Sequence, residues 1–136
     1  MVLTVMLFSI VTSNRVFAQD LMTSDKDNYF VLTRNTEQLN PIILAAKELA
    51  LQNPEKYGSF HVVICGKAVT DLANKEKMKP FLELAKQTNV KMFACGFSLK
   101  KFKVDKQKLP QGFGVVENGI LYGFELQKSG FYSISL

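Results

Sequence analysis

Two stretches of this chain share one pattern, and that pattern restricts the fold more than any other feature. V-V-I-C-G ends at Gly66 and M-F-A-C-G ends at Gly96, so the two stretches lie 30 residues apart. Each is an apolar run with the composition of a buried strand, followed by a glycine that lets the backbone turn. About 30 residues is the length of one β-α unit. The spacing therefore predicts successive β-α units and needs no domain duplication to explain it.

The rest of the chain continues this alternation. Strand composition occurs at residues 28–33, 60–65, 90–95, 113–116 and 131–136, with helical or turn patterns between these segments. The run from Phe60 to Cys65 is apolar almost throughout, which is typical of a strand buried on both faces of a parallel sheet. We therefore predict an α/β fold with three α/β/α layers, a five-stranded parallel sheet and helices on both faces.

Capping residues and apolar spacing predict two long helices between the first three strands. Asn40 and Pro41 have the residue types of an N-cap and a first helical position. In the second helix Pro80 is expected to lie in the first turn, where it removes no helical hydrogen bond. Helical spacing predicts that its core face consists of Met78, Phe81, Leu82 and Ala85.

The segment after the fourth strand allows two interpretations. Asn118 and Gly119 lie between apolar residues, which is a strong hairpin signal. The length of the segment and the position of Gly130 favour a helix that begins with Asn118 as N-cap. Three of its apolar residues share one helical face: Ile120, Leu121 and Phe124.

Cys95 is the candidate functional residue. It ends an apolar strand, Gly96 allows a sharp turn, and Ser98 is expected to be the N-cap of the next helix. A helix N-terminus together with Lys100 and Lys101 would lower the pKa of the thiol and make it a reactive thiolate. Spacing alone favours the other interpretation, in which Cys95 is an ordinary buried cysteine with no reactive role.

Cys65 is a possible second thiol at the same edge of the sheet. If its strand is next to that of Cys95, a spacing of about 4.8 Å is compatible with a disulfide. One intervening strand would exclude the bond. The only histidine, His61, lies in an apolar strand, where a structural role is expected.

The inventory of residues excludes several classes of function. The common zinc spacings and C-x-x-C pairs are missing, so no metal and no cofactor is predicted. The net charge is +5, with five lysines between Leu99 and Leu109. That basic segment is interpreted as a solvated face, as a surface that attracts a small anion or an acidic partner, or, as the weakest alternative, as a nucleic-acid surface. Nucleic acid is not predicted as a partner, because no recognition motif and no Trp accompany the charge.

Residues 1–18 match a secretory signal. An apolar block of ten residues precedes T-S-N-R, and Val16 and Ala18 occupy the −3 and −1 positions of a cleavage site. A strand over residues 2–11 is the alternative, and the block is too short to cross a bilayer, so stable membrane insertion is not predicted. We expect a linker at 19–27, one domain at 28–136, and a periplasmic or secreted protein, which would be cytoplasmic if the signal is not cleaved.

The domain also resembles a known family, the DsrE/DsrF-like sulfur-relay proteins. The resemblance covers roughly residues 28–136, and its motifs are V-V-I-C-G-K-A-V, F-L-E-L-A-K, V-K-M-F-A-C-G-F-S-L, V-V-E-N-G-I and E-L-Q-K-S-G-F-Y-S-I. It implies the three-layer fold, homo- or hetero-oligomers that are often trimers or hexamers, and, as in the members that carry sulfur, a persulfide on the cysteine that matches Cys95. It implies no role for Cys65.

The resemblance makes a sulfur carrier at Cys95 the leading hypothesis. Its partners would be sulfur donor and acceptor proteins or small sulfane-sulfur species. Two alternatives stay open: a non-catalytic oligomeric binding module with a buried Cys95, and a thiol redox sensor that uses Cys65 and Cys95. Whether the chain turns over a substrate as an enzyme is not decided by the sequence.

Overall fold

The computed structural model describes residues 25–136, and the predicted signal at residues 1–18 lies outside them. The strands are β1 (Asp27–Thr33), β2 (Tyr57–Ile64), β3 (Val90–Cys95), β4 (Phe113–Val116) and β5 (Tyr132–Ser135). The α-helices are α1 (Leu39–Gln52), α2 (Lys75–Gln87), α3 (Gly96–Lys101) and α4 (Gly119–Lys128), with 3-10 turns at Thr36–Gln38, Gly66–Ala73 and Lys106–Lys108. Among the described residues, none of the helices has the length and apolar content needed to cross a membrane.

Within residues 25–136 the strands form one five-stranded sheet in the order β4-β3-β2-β1-β5, and all neighbouring strands are parallel. This confirms the predicted fold class. The order makes β2 and β3 direct neighbours, and Ile64 pairs with Ala94. The residues that follow this pair are Cys65 and Cys95, so both thiols lie at the same carboxyl edge of the sheet.

One face of the sheet is covered by α1 and α2, and we call it the α1-α2 face. The apolar spacing of α1 brings Leu39, Ile43 and Ala46 into full burial against the strands. From α2, Met78 and Ala85 are buried on the same side. This face holds the larger of the two apolar clusters that the described residues form.

Two helix starts differ from their predictions. α1 begins at Leu39 and not at Pro41, because the preceding 3-10 turn continues into the helix and Asn35 caps that turn. α2 begins after Asn74, whose side chain accepts a hydrogen bond from the Lys77 N–H. Pro80 therefore lies beyond the first turn, where its missing N–H removes one helical hydrogen bond.

The other face of the sheet is covered by α4, and we call it the α4 face. The Asn118 side chain accepts hydrogen bonds from the N–H groups of Ile120 and Leu121, and the helix ends before Gly130. This excludes the hairpin and confirms the predicted cap. Phe124, Ile120 and Leu121 share a face, but that face is exposed, by 58%, 58% and 54% respectively.

Two glycines of α4 lie against the sheet, beside Tyr122 and Leu126. A Cβ at Gly123 would lie 2.7 Å from Cε1 of Phe30, and a Cβ at Gly119 would lie 2.8 Å from Cγ1 of Val63. Real side chains do not tolerate such distances, so the missing side chains let the helix backbone approach the sheet. The apolar triplet of α4 therefore points away from the core.

Candidate functional site

Cys65 and Cys95 lie side by side where β2 and β3 end. Their side chains are 7% and 5% exposed, and both are free thiols. They line a pocket of about 580 Å³ at the carboxyl edge of the sheet. This dithiol pocket is defined here by the following polar and charged residues: Arg34, Cys65, Lys67, Cys95, Ser98, Lys101 and Asn118.

The chain turns directly from β3 into α3 at Cys95. Cys95 itself is the N-cap and Gly96 is the first helical residue, so the prediction of Ser98 as N-cap is wrong. Gly96 is needed for packing, because a Cβ there would lie 3.1 Å from the carbonyl oxygen of Glu117. The next N–H, of Phe97, donates to that same oxygen at 2.9 Å. The start of α3 is thereby attached to the turn that leads into α4.

Ser98 has a different role from the predicted one. Its Oγ accepts a hydrogen bond of 2.9 Å from the N–H of Gly66, the residue after Cys65. With its oxygen engaged by that N–H, the hydroxyl can donate its own proton to the sulfur of Cys95. Ser98 therefore joins the two strand ends and also stabilises negative charge on Cys95.

The N-terminus of α4 lies on the two sulfurs. The N–H of Gly119 donates to Sγ of Cys95 over 3.4 Å. A Cβ on Gly119 would lie only 2.7 Å from Sγ of Cys65 and 3.5 Å from Cβ of Cys95. The sulfurs are thus enclosed on this side by helix backbone, and an N–H group of the first helical turn faces Cys95.

The two thiols have opposite pKa shifts. Burial raises the pKa of Cys95, but hydrogen bonds from Ser98, from the Gly119 N–H and from Cys65 outweigh it and lower the pKa below the ordinary value. Burial, the neighbouring Cys95 sulfur and the hydrogen bond to it raise the pKa of Cys65 to about 12, against a smaller lowering by Arg34. Cys95 is therefore the thiol of the pair that ionises more readily, and Cys65 is the one that stays protonated.

The cations at the dithiol pocket differ in part from the predicted ones. Lys101 lines it, together with Arg34 and Lys67. Lys100 lines a separate groove beside Gly96 and Glu117, so it is not brought to the thiols. Arg34 and Lys67 were not predicted from the sequence. The available signal was their position, because Arg34 directly follows β1 and Lys67 follows the turn after β2, at the same edge of the parallel sheet. Asn118 and Gly119 were identified only as a helix start.

The remaining candidates lie away from the thiols. His61 is buried on the α4 face, where its Nδ1 and the hydroxyl of Tyr122 form a hydrogen bond of 2.8 Å. Burial and the charge of Lys91 lower the pKa of His61 to about 4, and its Nε2 has no hydrogen-bond partner among the described residues. Residues 25–136 contain no group of three or more His, Cys, Asp or Glu side chains arranged to hold a metal ion.

Comparison with known proteins places this geometry in a family. The model of the DsrE/DsrF-like family matches residues 27–132. Two solved structures of proteins of unknown function share the fold. MTH1491 from Methanobacterium thermoautotrophicum is 18% identical with a TM-score of 0.66, over 82% of this chain and 99% of that one. BT1422 from Bacteroides thetaiotaomicron is 20% identical with a TM-score of 0.60, over 81% of this chain and 95% of that one. No curated protein gives a significant match.

Proposed function

Because the chain belongs to the DsrE/DsrF-like family, we propose that it is a sulfur carrier that holds sulfane sulfur as a persulfide on Cys95. Family membership supports sulfur relay as the general function. The observation that carries the specific proposal is the set of donors on Cys95 Sγ, namely the Ser98 hydroxyl and the Gly119 N–H. These donors stabilise the thiolate, which is the nucleophile in sulfur transfer.

The loading step is a displacement at sulfur. The Cys95 thiolate attacks the outer sulfur of a donor R–S–SH, a new S–S bond forms, and the donor's S–S bond breaks. The bonding electrons leave with the donor as R–S⁻, and Cys95–S–SH remains. Delivery is the same displacement by an acceptor thiolate on the outer sulfur, which returns Cys95 as a thiolate.

The charge around the dithiol pocket favours an anionic donor. Arg34, Lys67 and Lys101 line it, and among the described residues no Asp or Glu does. Persulfide anions, polysulfides and thiosulfate all carry negative charge, which these cations attract. With thiosulfate the leaving group is sulfite, whose charge the same side chains would stabilise. The donors and acceptors are small sulfane-sulfur species of this kind or proteins that carry them.

The test is intact-mass spectrometry after brief incubation with sodium polysulfide near pH 6.5. We expect the protein and its Cys65→Ser variant to gain one sulfur atom, about 32 Da. Cys95→Ser, the matched control with the neighbouring thiol intact, is expected to gain none. The proposal would be overturned, and a binding module favoured, if Cys95→Ser gained as much sulfur as the unsubstituted protein. The same holds if neither the unsubstituted protein nor Cys65→Ser gained any.

A second measurement addresses the thiolate directly. The rate of Cys95 alkylation by iodoacetamide, followed against pH in the Cys65→Ser variant, reports the pKa of the thiol. That variant removes the second alkylatable thiol but keeps a hydroxyl that can donate to Cys95, so the measured pKa is that of Cys95 alone. We expect it to lie below the ordinary value of about 8.5. A value well above 8.5 would contradict the activation of Cys95.

We also propose that the carrier is a homo-oligomer, formed through the exposed side of α4. Ile120, Leu121 and Phe124 form an apolar surface there, and Ile120 also lines the dithiol pocket. Burial of a fully exposed side chain of this kind contributes about 1.5–3 kcal/mol, so covering three that are more than half exposed favours association. A second copy is the proposed occupant, since the resemblance implies trimers or hexamers.

Light scattering coupled to gel filtration tests this assembly. Phe124→Glu is expected to dissociate the oligomer, while Leu51→Glu, at a residue of α1 that is 64% exposed, leaves it intact. A monomeric unsubstituted protein would refute the proposal, and so would an oligomer that Phe124→Glu does not weaken.

The proposed location is the periplasm or another exported space, because residues 1–18 have the pattern of a secretory signal. The mass of the protein recovered from its native cell is expected to match a chain that begins at Gln19. An uncleaved chain recovered from the cytoplasm would exclude this location.

A further inference from the structure

The two cysteines are placed as a reacting pair. β2 and β3 are neighbouring parallel strands, and Cys65 and Cys95 directly follow the paired residues Ile64 and Ala94. Neighbouring strands are about 4.8 Å apart, within the Cα separation that a disulfide spans. The two thiols are close enough for each to shift the pKa of the other, since Cys95 raises the pKa of Cys65 and Cys65 lowers that of Cys95. A bond between the two sulfurs therefore requires little movement of the backbone.

We infer that Cys65 is a resolving thiol, which discharges the persulfide on Cys95 as sulfide and leaves a Cys65–Cys95 disulfide. This inference rests on the proposed function, because it concerns the fate of the sulfur that Cys95 holds. It assigns to Cys65 a role that neither the resemblance nor the family match provides. It also explains why a second thiol lies inside a site where one would be enough for carriage.

The atoms and electrons balance without a further reactant. Cys65 loses its proton to solvent, and its thiolate attacks Sγ of Cys95. The Cys65–Cys95 bond forms as the bond from Cys95 to the outer sulfur breaks, and the electron pair leaves with that sulfur as hydrosulfide. The sulfane sulfur is reduced to sulfide and the two cysteines are oxidised. An external dithiol is then needed to reduce the disulfide and restore the carrier.

Burial of Cys65 makes this step slow at neutral pH. The raised pKa of Cys65 means that only a small fraction is thiolate, so a loaded Cys95 persists long enough to meet an acceptor. Higher pH increases the thiolate fraction about tenfold per unit until the pKa is approached. Arg34, which favours the charged form of Cys65, speeds the discharge.

The experiment compares the loaded protein with loaded Cys65→Ser and Cys65→Ala. After polysulfide treatment near pH 6.5 and removal of excess reagent, the samples are moved to about pH 8.5. Intact mass and released sulfide are then followed over time. The unsubstituted protein is expected to release one sulfide per chain and to reach the mass of an internal disulfide. Both variants are expected to keep the added sulfur at least ten times longer.

The outcomes separate this inference from the proposed function. Loss of the added sulfur at equal rates in all three proteins, or sulfide release without a Cys65–Cys95 disulfide in the peptide map, overturns the resolving role alone. Failure of all three proteins to load overturns the proposed function and this inference with it. Circular dichroism of the two variants checks that they fold. If they do not fold, the presence or absence of the Cys65–Cys95 disulfide in the discharged unsubstituted protein still decides the resolving role.

Discussion

On the α1-α2 face, two long amphipathic helices bury a continuous layer of aliphatic side chains, whereas on the α4 face one short helix meets the sheet through two glycines, Tyr122 and Leu126. Leu39, Ile43 and Met78 are fully buried on the first face. The second face contains the two thiols, the only histidine, and a helix whose apolar triplet, Ile120, Leu121 and Phe124, is exposed. The same strands thus support two different layers.

The difference teaches how the fold divides stability from chemistry. Large aliphatic side chains exclude water and stabilise the sheet, but they leave no polar donor near a reacting atom. Glycines contribute little burial, yet they bring the backbone N–H of Gly119 within 3.4 Å of Cys95 Sγ. The α4 face therefore gives up packing area for close approach of hydrogen-bond donors to sulfur.

The largest effect is expected from the α1-α2 face. Ile43→Ala removes a fully buried side chain and leaves a cavity, at a cost of about 2–5 kcal/mol in the free energy of unfolding. Urea denaturation measures this loss, and Leu44→Ala, at an exposed position of the same helix, is the control. The alkylation rate of Cys95 in the folded protein is expected to stay unchanged. A changed rate would show that the two faces are not independent.

Acid is expected to destabilise the α4 face through His61. Its folded pKa of about 4 lies below the unfolded value of about 6.5, so only the unfolded chain takes up a proton between these values. Stability is complete above pH 6.5 and falls as the pH approaches 4, by about 2–3 kcal/mol. Urea denaturation at several pH values measures the fall, and His61→Phe is expected to flatten it. An unchanged slope in that variant would contradict this assignment.

A methyl group at the start of α4 tests the close approach. Gly119→Ala places a Cβ against Cys65 Sγ and Val63, and such overpacking costs about 1–3 kcal/mol. Gly123→Ala is the matched control, because its Cβ would meet Phe30 away from the thiols. Both variants are expected to unfold at lower urea concentration, and only Gly119→Ala is expected to slow Cys95 alkylation. Equal rates of Cys95 alkylation in both variants would show that Gly119 does not contribute to the activation of Cys95.

The most local of these effects concerns one hydroxyl. Ser98→Ala removes a donor to the Cys95 thiolate, and a hydrogen bond to a charged group contributes about 1.5–3 kcal/mol. The pKa of Cys95 is expected to rise by at least about one unit, and alkylation at neutral pH slows accordingly. Ser129→Ala, whose hydroxyl donates to Glu125 at the other end of α4, is the control. An unchanged pH profile would exclude Ser98 as a donor.

The fold was predictable from the sequence because strands and caps are local signals. β3 and β4 have their predicted limits, and Asn118 caps α4 as its side-chain type indicates. Helix starts were less predictable. The 3-10 turn before α1 and the earlier start of α2 depend on Asn35 and Asn74, which cap turns that no apolar spacing marks.

The site was predictable only in part, since it depends on which strands are neighbours. The sequence identified Cys95 and Cys65, but whether the two thiols are close depends on the strand order, which the sequence did not give. It attributed activation to Lys100, Lys101 and a Ser98 cap, whereas hydrogen bonds from Ser98 and Gly119 lower the pKa in the structure. Gly119 is 24 residues from Cys95 along the chain, so only the packing of α4 on the sheet brings it there.

The bare α-carbon of Gly119 has a stereochemical consequence for a loaded Cys95. The space between this residue and Cys65 is filled, because even a methyl group would lie 2.7 Å from Cys65 Sγ. If Cys95 carries a sulfur as proposed, we expect that sulfur to extend into the dithiol pocket, which Arg34 and Lys67 also line. In the proposed carrier, the helix backbone would then restrict the side-chain torsion of Cys95 to one that leaves the outer sulfur open to an acceptor.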